Sequence, residues 1–428
     1  GHFLAGTGGE TYQAFLPQTY ERYGVIAVPV PAHFGPSETR QQEEEAMKAQ
    51  ILQESFHEAL KAVAWALPSK TLIASTNAIL VTVGKGKVQV EATDLLTHAT
   101  AYCPAAVEED GISLLSGRQL LETVALMNQE RIQLTSTDSK VTLRGSKSRA
   151  SLNTMNIDDF PPQPNLSQAS PVRNVQAGTL LSALHSVSFA AIRDPKQAAV
   201  TMLLGINLSF EQEVLRLIGC DSSRAAYSSA FSPGLSLPAI TIPAGPFEAA
   251  IKVLSREPKT DIQITPDRTR VYLSVPSLAS YSIQLLNGEY PNVRKLVPTN
   301  NPTLVTVDSK ELADAIRFTQ IYRGDSSAVR LSVTPNGIIA SASEQAGEAV
   351  NRVEATLSGQ LISLAMNAAF VLDWLEMQTG KVEISFSDPA KPVLFRVPNA
   401  QPGDCYVCMP VYFKSSEILP AEGVVANA

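Results

Sequence analysis

The apolar residues of this chain repeat with two periods, and the two follow one another in a fixed order. Residues 78–83 and 87–92 carry apolar side chains at alternate positions, which predicts two strands, and Gly84-Lys85-Gly86 between them predicts a hairpin turn. Upstream, Phe56, Leu60, Val63 and Leu67 recur at helical spacing and are stopped by Pro68, which predicts a helix behind a short strand at 48–52. Another strand is expected at 99–104. A second helix is expected from Ser116, with Gln119 completing a capping box and Leu120, Val124 and Met127 facing inward. Strands at 132–136, 140–144 and 148–155 close this first unit.

The same order then recurs. The second unit has a strand at 172–175 and a helix with Leu180, Leu184, Val187 and Ala191 inward, followed by strands at 205–210, 214–219 and 225–231. Its second helix has Pro246 in the first turn and Phe247, Ala250, Ile251 and Leu254 on one face, before strands at 261–265, 270–275 and 279–286. The third unit begins with a strand at 303–307 and a helix capped by Asp308, with Glu311 three residues on and Leu312, Ile316 and Thr319 inward. A hairpin flanks Pro335-Asn336-Gly337, a helix capped by Asn367 carries Leu372 and Leu375 and ends before Gly380, and strands at 381–386, 392–396 and 404–411 finish it.

Strand, helix, three strands, helix, three strands is thus read three times, and each unit closes on an aromatic-proline or similar step: Phe160-Pro161, Tyr290-Pro291 and Met409-Pro410. The expected class is α+β: three repeated domains at 47–168, 169–299 and 300–413, each with two helices on mainly antiparallel sheets. Residues 1–46 and 414–428 stand outside the repetition as an extension and a tail. In the extension, 24–31 could form a short strand and 37–46 is an acidic, helix-prone run; Gly1-His2 reads as the remnant of a tag and Met47-Lys48 as an original start.

Composition narrows the class without naming a function. A chain of 428 residues with 44% hydrophobic and 18% charged residues suits several globular cores and not disorder. No apolar run nears the ~20 residues a membrane helix needs, so a cytoplasmic protein without a membrane anchor is expected. The net charge of −7 argues against gripping nucleic acid by bulk electrostatics, although a locally basic surface remains compatible with it. Six glutamates against two arginines in residues 1–46 account for −4 of that charge. Cys103, Cys220, Cys405 and Cys408 are too few for a disulfide framework. Cys405-x-x-Cys408 has the spacing of half a zinc site, but it lies in an apolar alternating run without a second pair and reads as structural.

Against this background three stretches are specific: NGEYPNVRKLVP at 287–298, GINLSF with LRLIGCDSSRAA at 205–226, and DPAKPVLFRV with YVCMPV at 388–411. In this order and spacing they resemble the bacterial DNA polymerase III beta subunit, the beta sliding clamp family, over residues 47–413. The resemblance implies a head-to-tail homodimer of three-domain protomers closed into a six-domain ring, with helices lining a hole through which double-stranded DNA passes. It also implies partners that dock by short apolar peptides: the replicative polymerase, a clamp loader and repair polymerases. No cofactor, metal or catalytic residue is implied.

The family's peptide cleft, between the second and third domains, maps here onto Leu203, Cys220, Ser222, Ser223, Arg224 and Ala225. Its other wall maps onto Pro291, Lys295, Leu296, Met409, Pro410 and Val411. Methionine and proline walls suit an adaptable apolar groove, and Arg224 and Lys295 are expected to hold peptide carbonyls or a terminal carboxylate. The family usually has Gly-His at Ser222-Ser223 and Leu at Ala225, so a wider, more polar groove is expected. Taken without the resemblance, the cluster reads as an interdomain packing seam.

Candidate DNA-facing residues on or near the helices are Lys61, Lys70, Arg118, Arg193, Lys196 and Gln197. Lys252, Arg256, Arg317 and Arg323 complete them, and any one taken alone is equally a solvated helix residue. Where the family has a loop arginine this chain has Ser69, and where it has two tyrosines after the glutamine it has Thr201 and Met202. Chain continues past the Met-Pro strand as Tyr412-Phe413 and the tail, whose Ile418-Leu419 could compete for the cleft.

Two other readings compete. An enzyme would need a constellation, yet Asp158-Asp159 and Glu108-Glu109-Asp110 have no basic or histidine partner at useful spacing, and no phosphate-cradling loop or nucleophile elbow occurs. A β-rich repeat scaffold that binds peptides without encircling DNA would share the cleft but not the ring.

Overall fold

The computed structural model describes residues 47–411 except 69–73, 129, 138, 166–170, 235–236, 323–326, 345–346 and 402. The expectations for the extension and the tail lie outside these residues. The first repeat comprises β1 (Lys48–Leu52), α1 (Gln53–Ala64), β2 (Ala78–Gly84), β3 (Lys87–Thr93), β4 (Thr97–Glu109), β5 (Gly111–Ser116), α2 (Gly117–Leu126), β6 (Arg131–Thr137), β7 (Lys140–Arg144) and β8 (Arg149–Met155). The second comprises β9 (Arg173–Gln176), α3 (Ala177–Ser188), β10 (Gly205–Glu211), β11 (Val214–Cys220), β12 (Arg224–Phe231), β13 (Leu237–Pro243), α4 (Ala244–Leu254), β14 (Asp261–Pro266), β15 (Arg270–Val275) and β16 (Ala279–Gln284). The third comprises β17 (Thr303–Asp308), α5 (Ser309–Thr319), β18 (Ala328–Thr334), β19 (Gly337–Glu344), β20 (Gly347–Val353), β21 (Ala355–Ser358), β22 (Ser363–Asn367), α6 (Ala368–Leu375), β23 (Lys381–Phe386), β24 (Val393–Arg396) and β25 (Cys405–Cys408).

Each repeat holds one more strand before its second helix than the periodicity predicted: β5, β13 and β22. These strands run directly into their helices, so their two-residue period is cut short and merges with a helical one. In the third repeat the fourth strand is also broken, at Glu354, into β20 and β21. The capping box predicted at Ser116 does not form, since Ser116 occupies the N-cap of α2 without a side-chain hydrogen bond. The other two caps do form. Asp308 Oδ1 accepts from the Lys310 and Glu311 amides at 3.0 and 3.1 Å, and Asn367 Oδ1 from those of Ala369 and Phe370 at 3.0 and 3.4 Å.

Inside each repeat the first helix lays its apolar stripe on the third and fourth strands and packs against the second helix. Phe56, Leu60 and Val63 of α1, Leu180, Leu184 and Val187 of α3, and Leu312, Ile316 and Thr319 of α5 are buried, as their spacing predicts. Each large apolar side chain removed from water there contributes about 1.5–3 kcal/mol. The Lys85-Gly86 turn has both residues at positive φ, 51° and 74°, the backbone twist a two-residue hairpin needs.

All the sheets are antiparallel, and two of them run through the joints between repeats. A 12-stranded sheet has the order β1-β6-β7-β8-β5-β2-β3-β4-β16-β15-β14-β9, and β1 also pairs with β4. A 9-stranded sheet has the order β13-β10-β11-β12-β25-β24-β23-β17-β21, and a 4-stranded one the order β20-β19-β18-β22. At both joints the last strand of one repeat pairs with the fourth strand of the repeat before it: β16 with β4, and β25 with β12. Among the described residues no helix is long and apolar enough to cross a membrane.

Candidate peptide cleft and basic helix face

The β12–β25 joint brings together segments distant in sequence. The turn after β11 enters β12, the segment after β16 passes over it, and the end of β25 lies alongside, with the Met409 N–H donating to Ser223 O at 2.8 Å. Beneath them sits an apolar cluster separate from the main core: Leu203, Ile218, Cys220, Ala225, Tyr227, Val293, Leu394, Cys405 and Val407. Two tyrosines fasten its lid. Tyr227 Oη donates to Val293 O at 2.6 Å, and Tyr290 Oη reaches Ile218 O at 3.3 Å and Cys220 Sγ at 3.1 Å. Burial raises both phenol pKa values well above the ordinary range, so the tyrosines act as neutral donors.

The twelve residues assigned to the cleft divide by depth. Leu296, 48% exposed, and Val411, 36% exposed, present apolar surface to solvent, and half-buried Pro291, Met409 and Pro410 stand beside them. Ser222 and Lys295 are exposed at the rim and Ser223 is half-buried. Cys220 and Ala225 are fully buried and Leu203 nearly so, which makes them the floor beneath the groove and not its wall. The buried Ile218, Val293 and Val407 and the half-buried Tyr290 were not assigned to the cleft from the sequence. Alternation could have found two of them, because Ile218 shares a strand face with Cys220, and Val407 with Cys405.

Arg224, expected to hold a peptide carbonyl or carboxylate, makes its bonds to groups of the chain itself. Its Nε donates to Asp221 Oδ2 at 3.0 Å, Nη1 to Asp373 Oδ2 at 2.6 Å and Nη2 to Phe189 O at 3.0 Å, while the guanidinium lies 4.0 Å over the Phe370 ring. Nε and Nη2 are held within the second repeat, while Nη1 and the Phe370 ring contact fasten that repeat to α6 of the third, so each guanidinium nitrogen already has a partner inside the chain. Burial opposes this charge, but Asp373 and Asp221 more than offset it, and the pKa stands above the usual arginine value. The Asp221 carboxylate also accepts from the Ser223 and Arg224 amides at 2.7 and 2.8 Å, which fixes the turn. At the rim only Lys295 of the two expected cations is exposed.

Cys405 and Cys408 are both buried in β25, and burial pushes their thiols up to about 11 and about 12. They are neutral strand residues there. Among the described residues no group of three or more His, Cys, Asp or Glu side chains could hold a metal ion.

The basic candidates on the helices are exposed, but most are paired with carboxylates. Arg193 makes a bidentate contact with Glu248, at 2.6 and 2.7 Å, and Arg317 bridges Asp314 at 2.7 Å and Glu376 at 2.8 Å. Arg256 and Lys61 share Glu58, at 2.7 and 2.9 Å, and Arg118 contacts Glu122 at 3.0 Å. Lys196, Gln197 and Lys252 are exposed. Met202 is buried and cannot take the place of a DNA-facing tyrosine. Ser69, Lys70 and Arg323 lie outside the described residues.

Residues 47–166 match the N-terminal domain of the DNA polymerase III beta subunit, and residues 294–412 match its C-terminal domain. The beta sliding clamp of Streptomyces coelicolor is 26% identical over 345 residues, covering 78% of this chain and 90% of that protein. Among solved structures, the DNA polymerase sliding clamp of Bacillus subtilis superposes with a TM-score of 0.79 at 22% identity, over 86% of this chain and all of that one. A sliding clamp of Pseudomonas aeruginosa bound to griselimycin gives the same TM-score at 20% identity and the same coverage. The two domain matches together take in more than half of the sequence, and the chain belongs to the DNA polymerase III beta subunit family.

Proposed function

We propose that this chain is a sliding clamp, the processivity factor of a replicative DNA polymerase, acting as a ring-shaped homodimer around duplex DNA. Its three domains are 47–168, 169–299 and 300–413. The groove over Leu296, Met409, Pro410 and Val411 takes short apolar peptides from the replicative polymerase, the clamp loader and repair polymerases, in the cytoplasm.

One observation carries the reading: the joints repeat and leave matching ends. β16 lies on β4 and β25 lies on β12, always last strand on fourth strand. Among the described residues, the remaining last strand, β8, pairs at residues 149–152 only with β7, and the remaining fourth strand, β20, is a sheet edge paired only with β19. Two such edges on one chain are complementary to each other only through a second copy, in a head-to-tail contact that closes a ring after a fixed number of copies. Exposed Leu126 beside α2 at one end, and Phe318, Ile321 and Tyr322 around the end of α5 at the other, supply apolar surface for it.

A ring holds DNA by topology. The net charge of −7 and the carboxylate-paired arginines therefore suit a protein that must slide: weak phosphate contacts orient the duplex and let it move. Retention on DNA circles tests this directly. Loaded on a nicked plasmid in about 1 M salt, the protein should stay on the circle and fall off within minutes of linearisation; equal retention on circular and linear DNA would refute encirclement and favour a peptide-binding scaffold.

A further inference from the structure

The strand registers put the two inner joints in correspondence and pick out the equivalent positions at the chain's two open edges. In each repeat the strand before the second helix touches the end of the last strand: Leu114 pairs with Met155, Thr241 O accepts from the Leu286 amide, and Ala365 O from the Val411 amide. Five residues before those contacts stand Ala150, Tyr281 and Tyr406. Across the joints Tyr281 pairs with Ala99 and Tyr406 with Ala226. The hairpin registers Ala92 with Ala99, Gly219 with Ala226 and Ala342 with Ala349 make Ala349 the third equivalent. All three are buried alanines, which leaves room opposite for a large ring.

Each inner joint fills that room with an aromatic pair. Tyr281 packs on Trp65 at 5.2 Å between ring centroids and donates to Ala62 O at 3.0 Å, and Tyr406 packs on Phe189 at 5.3 Å. Trp65 and Phe189 are the C-caps of α1 and α3, each twelve residues past the first residue of its helix. The same count from Ser309 of α5 reaches Ile321, which is 73% exposed. The open joint therefore offers an alanine and an isoleucine where the inner joints have a tyrosine on a tryptophan or a phenylalanine.

We propose that the seam between copies is the weak joint of the ring because Ala150 and Ile321 replace the aromatic pair, and that residue 150 sets how tightly the ring closes. This rests on the ring reading above. An aromatic pair stabilises a contact beyond the area it buries, and alanine leaves that area unburied as well. Two joints of each chain are thereby kept shut while the third can part, without any difference in backbone pairing.

Two variants test it by dilution, following the dimer–monomer midpoint by light scattering or sedimentation. Ala150→Tyr should lower the dissociation constant at least about tenfold, the factor that about 1.4 kcal/mol supplies. Ile321→Trp, at an exposed position that cannot disturb the core, should tighten the dimer in the same direction even if Ala150→Tyr fails to fold. Folded variants that dissociate at the wild-type concentration or above it overturn the proposal while leaving the ring intact. A wild-type chain that stays monomeric at every concentration overturns the ring reading itself, and the proposal with it.

Discussion

At the scale of single residues, charge pairing is what the sequence concealed. Arg193, Arg256 and Arg317 were visible as bases near helices, but their partners Glu248, Glu58 and Glu376 lie 55, 198 and 59 residues away. The contact of Arg317 with Asp314, three residues back, lies at helical spacing, whereas no local period joins the distant positions, so those partners stay hidden. The same holds for Arg224, whose partner Asp373 is 149 residues distant. Caps are the opposite case, because Asp308 and Asn367 bond to amides two and three residues on and were legible from type and spacing alone. The pairing has a measurable consequence. Glu248→Gln should release Arg193 toward phosphate, raising affinity for duplex DNA by up to about fivefold at low salt, as expected for an exposed pair worth about 0.2–1 kcal/mol. The slope of log affinity against log salt should steepen by about 0.9. Binding curves at several salt concentrations check this, and an unchanged slope would mean that Arg193 never meets DNA.

At the scale of elements, long periodic segments were legible and interrupted ones were not. The helices α1, α3 and α5 bury the predicted stripes because tertiary contacts reinforce their local period. β5, β13 and β22 escaped because each passes into a helix without a break. The cleft residues were assigned through resemblance, and only the structure separated the buried ones among them from the exposed ones. The joint beneath the cleft also makes a pH prediction. Asp404 Oδ1 accepts from the Ser229 amide and hydroxyl, both at 2.6 Å, tying the third repeat to β12. Burial nevertheless raises its pKa above the ordinary carboxylate value. A raised carboxyl favours the folded state most below its unfolded pKa, about 3.9, and that contribution is lost as pH rises through the folded value. Asp404→Asn keeps an acceptor without the charge. It should therefore raise the unfolding midpoint relative to wild type at pH 7, with the gain shrinking as pH falls toward 4. Urea titrations at both pH values decide it, and a gain that grows on acidification would contradict the assignment.

At the scale of the molecule, three repeats joined last strand to fourth strand leave one edge of each kind, and the proposed ring has a second copy cover them. Repetition itself was readable in the sequence, since helix offsets recur from unit to unit. The registers that make the two joints superposable were not, because strand pairing across repeats has no local signature. In the proposed ring, those registers carried to the open edges put Ala150 opposite Ala349 of a second copy, and so Ser151 opposite Glu348. Disulfide trapping of the double variant Ser151→Cys, Glu348→Cys measures this closure most directly. Mild oxidation should give a single product, a dimer closed by two bridges, and DNA circles threaded by it should resist removal even in denaturant. Failure of the pair to cross-link, or growth of a ladder of trimers and longer open chains, would contradict a ring of two.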